Sequence, residues 1–198
     1  LQRRLGLVVP GAGGGDDDIL DYTDSSSAVT IDLAALTASG GDAQGDQISG
    51  FEHVIGSSAA DNITGDGADS RIWGLAGDDT LLGGAGADGL PGGAGQDELT
   101  GGAEADRFIF TDASDSTLAA PDTFSDFSGS SGEGVRRLLS AIASSFGGTA
   151  FTNTAGEVIA NAAGGVTTVE VDTDGDGSAD FRLTLTGEMS LTSTDFIF

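Results

Sequence analysis

The chain contains no cysteine, so no disulfide framework holds it together and no thiolate is present as nucleophile or ligand. It has a single histidine, His53. A transition-metal site needs several nitrogen or sulfur ligands, and one imidazole beside apolar residues cannot supply them. No HExxH motif occurs, and no Ser-His arrangement can be served by one histidine in several roles. Only a paired-carboxylate mechanism survives on composition, and in so acidic a chain that survival carries no weight. The expectation is a chain that is not itself an enzyme. Basic residues are scarce too: 7 Lys plus Arg stand against 32 Asp plus Glu, a formal charge of −25. Phosphate binding needs basic surface, so nucleic acid is excluded as a partner, and an anionic membrane surface is disfavoured. Long apolar runs are missing. The opening LQRRLGLVV stops at Pro10 and Gly11, shorter than the roughly 7–15 residues of a signal-peptide core and far too short to span a bilayer. The first residue is not Met, and the expectation is a fragment or a processed product.

What is present is glycine, aspartate and a period. Residues 56–109 divide into six nonapeptides: GSSAADNIT, GDGADSRIW, GLAGDDTLL, GGAGADGLP, GGAGQDELT and GGAEADRFI. Position 1 is Gly throughout. Position 6 reads Asp61, Ser70, Asp79, Asp88, Asp97 and Asp106; position 8 reads Ile63, Ile72, Leu81, Leu90, Leu99 and Phe108. A flexible acidic linker would not hold an apolar residue at one phase through six units. Glycines at positions 1, 2 and 4 permit the positive φ of a tight turn that aims carbonyls inward. The position-6 carboxylate ends that turn. Carbonyl and carboxylate oxygens are the hard donors that Ca²⁺ requires, six to eight of them at about 2.3–2.6 Å. The position-8 side chain points into a core that no single nonapeptide can close, so neighbours must stack. Self-repulsion at this charge opposes compaction, and several bound cations would offset it.

These repeats resemble the RTX family of exported bacterial proteins, in particular the C-terminal modules of serralysin-type proteases and alginate epimerases. The resemblance implies an all-β fold: a right-handed parallel β-roll followed by an antiparallel β segment with one short helix. Two nonapeptides make one turn, and each calcium lies between repeats n and n+2. It therefore implies an ion between Asp79 and Asp97, with the carbonyls of Leu75, Gly77, Gly92 and Ala94. A second falls between Asp88 and Asp106, with those of Gly84, Gly86, Gly101 and Ala103. A third falls between Asp61 and Asp79, with those of Ser57, Ala59, Gly74 and Ala76. The pair Ser70 and Asp88 lacks one carboxylate and should be weak or empty. Glu104 replaces a position-4 glycine and Pro91 sits where a strand should end, so the later turns should be less regular.

The flanks divide the chain into 1–55, strands and loops leading into the roll; 56–110, the roll; and 111–198, a β-rich cap with an export segment. AGGGDDDIL reads as a stray repeat with Asp17 at position 6 and Ile19 at position 8. Val29, Ile31 and Leu33 alternate with polar residues as a half-buried strand. Val54 occupies the position-8 phase of a degenerate preceding unit, and the run from Val29 to Ser57 resembles the segment that precedes RTX repeats. Asp42 and Asp46 read as solvated loop acids. After Ile109 the period breaks, and by the same resemblance Asp122 or Asp126 completes a terminal cation site or caps the roll. Val135, Leu138, Leu139, Ile142 and Phe146 fall at helical spacing before Gly147 and Gly148. In the tail, Val169 and Val171, then Phe181, Leu183 and Leu185, alternate on either side of DTDGDGSAD. There Asp172, Asp174, Asp176 and Asp180 match part of an EF-hand loop, but Leu183 stands where the bidentate Glu belongs. A hairpin turn is the competing reading.

The ending Asp195-Phe196-Ile197-Phe198 resembles the export signal read by type I secretion machinery; a last strand is the plain alternative. The resemblance thus implies a calcium-binding module, non-catalytic itself. It would fold on Ca²⁺ outside a Gram-negative cell and support secretion and stability of an exported protein, secreted or at the cell surface, without membrane insertion. Two alternatives stay open. One is a surface-layer or adhesin protein using the roll, with Ca²⁺-dependent self-association. The other is the C-terminal fragment of a hydrolase, lyase or epimerase. Position 7 varies among Asn, Arg, Thr, Gly, Glu and Arg, which argues against a repetitive binding face.

Overall fold

The nine-residue period becomes an eighteen-residue turn. In the computed structural model, which describes residues 2–3, 17–127, 145–146 and 150–195, alternate nonapeptides supply strands to two different sheets. The strand Asn62–Thr64 pairs in parallel with Thr80–Ala85, matching Ile63 to Leu81, and Thr80–Ala85 pairs with Glu98–Ala103, matching Leu81 to Leu99. The intervening repeats build the other sheet: Arg71–Trp73, Gly89–Leu90 and Arg107–Phe108 follow one another in parallel. This is a β-roll, two parallel sheets joined by short turns, and the position-8 side chains face each other between them.

That apolar column is the core. Val54, Ile63, Ile72, Leu81, Leu90 and Leu99 are fully buried, and Phe108 nearly so. Each contributes about 1.5–3 kcal/mol by leaving water. Because side chains alternate along a strand, positions 7 and 9 must face outward. Trp73, at position 9, is accordingly half-buried on the outer surface.

The flanking strands join the same sheets. Thr30–Asp32 pairs with Asn62–Thr64, which sets Ile31 opposite Ile63. Ile19–Asp21 pairs with His53–Ile55. Here the register corrects the expected stray repeat by one residue: Leu20, not Ile19, lies beside Val54 and is buried, and Asp18, not Asp17, takes the position-6 place. A one-residue slip turns a strand over, and pairing with Val54 decides which way it goes.

At the other end the larger sheet continues past the last repeat. Asp122–Phe124 continues the larger sheet, placing Phe124 against Leu99. Phe181–Thr186 then pairs in parallel with Asp122–Phe124 and antiparallel with Val166–Asp172, which forms a hairpin with Glu157–Ala163. The alternation read in the tail holds: Val169, Val171, Phe181, Leu183 and Leu185 are buried. Phe108 stacks on Phe124 at 4.3 Å and Phe110 meets Phe181 edge-on at 5.3 Å, closing the end of the core. The helix expected from Val135 falls outside the described residues, except that Ser145–Phe146 pairs as a short strand beside Glu157–Ala163.

Candidate metal centre

Both long edges of the roll carry a column of position-6 side chains, one per turn, linked by a repeated hydrogen bond. Each carboxylate accepts through Oδ1 the backbone N–H of the position-6 residue one turn earlier. Asp61 N–H donates to Asp79 at 2.7 Å, Asp79 N–H to Asp97 at 2.9 Å, and Asp97 N–H to Asp122 at 2.9 Å. On the opposite edge Ser70 N–H donates to Asp88 at 2.7 Å and Asp88 N–H to Asp106 at 2.9 Å. The ladder half-satisfies each carboxylate and aims its second oxygen inward.

The second oxygens are the notable feature. Oδ2 of Asp79, Asp88, Asp97 and Asp122 is buried with no hydrogen-bond partner, and these residues are at most 1% exposed. Leaving an ionised oxygen buried and unpaired is costly unless a cation meets it. The space around two of these atoms explains the invariant position-1 glycine. A Cβ on Gly74 would collide with Asp79 Oδ2 and with the Gly92 carbonyl oxygen of the next turn; a Cβ on Gly83 would collide with Asp88 Oδ2 and the Gly101 carbonyl oxygen. A free carboxylate oxygen and a backbone carbonyl thus converge in the same small space between repeats n and n+2, one turn apart. The carbonyls of Leu75 and Gly77 lie against Gly93 and Gly95 of the following turn, and that of Gly84 lies against Gly102. All of these are hard oxygen donors, and the set fits Ca²⁺.

Burial governs the acidity of the column. It pushes the carboxyl of Asp79 up to about 8, Asp88 to about 7, Asp97 to about 6 and Asp122 to about 9. The ladder N–H groups pull in the other direction, and neighbouring carboxylates push further upward.

Other members differ in ways the repeat pattern does not reveal. Asp61 is already satisfied: Oδ1 accepts from Val29 N–H at 2.7 Å and from the Ser57 hydroxyl at 2.9 Å, and Oδ2 accepts from Ser57 N–H at 2.5 Å. Ser70 turns its hydroxyl to the Ala68 carbonyl at 3.2 Å. Among the expected carbonyl donors, that of Ala94 accepts Gly77 N–H at 2.9 Å, while Ala76 and Ala103 lie in strand pairs with Ala94 and Ala85. Gly86 packs against Ala68, and the Ala59 carbonyl lies against Gly77. Asp126 accepts from Gly101 and Gly102 N–H at 3.0 and 2.6 Å and closes that turn.

Sequence reading missed two column members and undervalued a third. Asp18 N–H donates to Glu52 Oε2 at 2.9 Å, the same ladder bond with a glutamate in the aspartate place. Asp122 is a full member reached by a step of 25 residues where the others use 18; its Asp-Thr-Phe repeats the Asp-x-apolar phase and was the available signal. In the tail hairpin, carboxylate oxygens of Asp172, Asp174 and Asp176 lie within 4.8 Å of one another. Both oxygens of buried Asp172 are taken, by Gly175 N–H at 2.6 Å and Gly177 N–H at 2.8 Å, and Asp180 turns to Thr173. These are the bonds of a hairpin turn. Asp46 accepts from the Tyr22 hydroxyl at 3.0 Å, and His53 Nδ1 accepts from Arg71 N–H at 3.0 Å. Asp195 accepts from Thr192 N–H at 2.6 Å, and residues 196–198 lie outside the described set.

Comparison with known proteins agrees with this architecture. The model of the Peptidase M10 serralysin C-terminal family matches residues 5–198. The chain belongs to that family. Among solved structures, this serralysin-type module is similar to the solution structure of the AlgE6R3 subunit of the Azotobacter vinelandii mannuronan C5-epimerase. The likeness has 29% identity and a TM-score of 0.56, covering 71% of this chain and 79% of that one. The AlgE6R2 subunit of the same organism's epimerase matches at 25% identity and a TM-score of 0.48, over 69% of this chain and 92% of its own. A search of curated proteins gives no match.

Proposed function

We propose that this chain is a non-catalytic, calcium-folded module of an exported protein. It gains its stable roll outside the cell and supports type I secretion and stability of the domain it accompanies. The observation that carries the reading is the set of four buried, unpartnered Oδ2 atoms on Asp79, Asp88, Asp97 and Asp122. Asp79 with Asp97 and Gly92, and Asp88 with Asp106 and Gly101, would hold ions between turns. Asp97 with Asp122 would hold a further one, tying the strand after the repeats to the roll. Asp61 with Asp79 and Gly74 stands next in order, since Ser57 already engages Asp61. Ser70 with Asp88 and the Asp172 loop stand last. When bound, Ca²⁺ supplies positive charge that neutralises these carboxylates. The chain's own residues do the rest: glycines leave room, the ladder bonds orient the oxygens, and the apolar column excludes water.

Energetics favour a switch. A ligand that binds only the folded state stabilises it by RT ln(1 + [L]/Kd) per site. At extracellular-type affinities of about 10⁻⁴–10⁻³ M, millimolar Ca²⁺ gives on the order of 1 kcal/mol per site, and submicromolar Ca²⁺ gives almost none. A few such sites amount to much of the 5–15 kcal/mol that typically holds a domain together. Membership of the serralysin C-terminal family and the likeness to an epimerase subunit support the reading that this module accompanies a catalytic part elsewhere. The test is metal content after equilibrium dialysis against millimolar Ca²⁺ with excess Mg²⁺. Several calcium ions per chain are expected, falling in Asp88→Asn and Asp97→Asn; a chain that retains none would refute the reading.

A further inference from the structure

The carboxylate column on the larger sheet runs from Asp61 through Asp79 and Asp97 to Asp122, each backbone N–H donating to the next carboxylate. Asp122 is the last acid in that series, so its own N–H needs a different acceptor. Ser116 supplies it. The Ser116 hydroxyl oxygen accepts the Asp122 N–H at 2.8 Å and donates its proton to the Arg182 carbonyl at 2.5 Å. Arg182 N–H returns a bond to the Ser116 carbonyl at 3.3 Å. A hydroxyl has one proton to give and lone pairs to accept with. Here both uses are filled, and they join positions 66 residues apart.

Ser116 is fully buried, whereas Thr111, Asp112 and Ser114 just before it are exposed. The chain is built locally to deliver it. Before it, Asp112 and Asp115 form a capping box around the short turn Ala113–Asp115. After it, Thr117 N–H donates to the Ala120 carbonyl at 3.3 Å, and Ala120 N–H donates to the Thr117 hydroxyl at 3.2 Å. The longer step from Asp97 to Asp122 thus has a use: it inserts the segment that carries Ser116. On the far side the connection enters the tail hairpin. Phe181–Thr186 lies parallel to Asp122–Phe124, and the Arg182 guanidinium bonds Glu170 Oε1 of the next strand through Nε at 2.9 Å and Nη2 at 2.5 Å. Among the described residues, that hairpin has no buried, unpartnered carboxylate oxygen of its own.

We infer that Ser116 is a positioning residue that ends the carboxylate ladder and couples the terminal cation site, Asp97 with Asp122, to docking of the tail hairpin. The inference rests on the calcium reading and adds the route by which an ion on the roll orders strands that have no site of their own. Asp122 is held from two sides, by Asp97 N–H at Oδ1 and by Ser116 at its backbone N–H. Its Oδ2 is thereby left free and fixed in place for an ion. Coupling between two events is reciprocal. The docked hairpin tightens the ion through Ser116, and the ion tightens the hairpin by the same factor.

The test is hydrogen exchange across a Ca²⁺ titration of the full chain, comparing the amides of Ile72 and Leu90 in the roll with those of Val169 and Leu183 in the tail. In the unaltered chain both sets gain protection at one midpoint. Ser116→Ala leaves the Asp122 N–H and the Arg182 carbonyl without their hydroxyl partner, and the tail midpoint should move to about tenfold higher Ca²⁺ while the roll midpoint stays. Asp122→Asn keeps the ladder acceptor, removes the charge and should move the tail midpoint likewise. Adding Ser116→Ala to it should then shift the tail no further, because both act through one site. A merely structural serine would lower tail protection at every Ca²⁺ concentration without moving the midpoint, and its effect would add to that of Asp122→Asn. Either result, or tail and roll midpoints that still coincide in Ser116→Ala, would overturn the inference alone. A roll without any calcium response in the unaltered chain would overturn the calcium reading and this inference with it.

Discussion

Asp97→Asn raises the Ca²⁺ concentration needed to fold the module about tenfold or more, and stabilises the same chain in chelator. Both effects follow from one atom. Asp97 stands in two proposed sites, with Asp79 on one side and Asp122 on the other. Asparagine keeps an oxygen for the Asp79 N–H but removes the negative charge. Two sites losing a carboxylate forfeit about 2 kcal/mol of calcium-linked stability at millimolar Ca²⁺. Without calcium the balance inverts, because Asp97 Oδ2 is then a buried, unpaired acceptor of a charged group. Chemical denaturation with and without Ca²⁺ measures both arms. A variant destabilised in both conditions would mean that Asp97 is merely a packing residue.

Calcium-free protein should be more stable in acid than in alkali, the reverse of most acidic chains. The carboxyls of Asp97, Asp88, Asp79 and Asp122 are raised to about 6, 7, 8 and 9 by burial. Between the unfolded value near 3.9 and these values, the folded state holds more protons than the unfolded. Their contribution to stability is therefore fully present below about pH 4 and is lost progressively as pH climbs from there through the folded values of about 6 to about 9. Saturating calcium reverses the slope, since the ion requires the deprotonated carboxylates. Tm measured in chelator across pH 5 to 9 should fall as pH rises. A Tm that rises with pH in chelator would show that these carboxylates are solvated in the free chain.

How much of this was legible follows from which residues repeat. Position 8 was readable as core because Ile63, Ile72, Leu81, Leu90 and Leu99 recur at one phase, and stacking by eighteen residues then fixes their register. The position-6 column was readable for the same reason. Where repetition ends, so does legibility. Three consecutive aspartates followed by Ile19 and Leu20 fit two phases equally, and only pairing with Val54 chooses Asp18 and Leu20. Asp122 was obscured by the longer step that accommodates the turn Ala113–Asp115. Ser57 engages Asp61 through hydrogen bonds of a residue that varies between repeats, so no period announces it. The outward face of Trp73 was available from simple alternation about Ile72, since neighbours of an inward residue point out.

The most direct test of the central claim is a Ca²⁺ titration of chelator-treated protein, following Trp73 emission and far-UV circular dichroism together, with Mg²⁺ as control. The account predicts a cooperative gain of β signal with Ca²⁺, a coincident change in Trp73, and no response to Mg²⁺. A chain already fully folded in chelator at pH 7 to 8 would contradict it and reduce any bound calcium to an ornament on a self-sufficient roll.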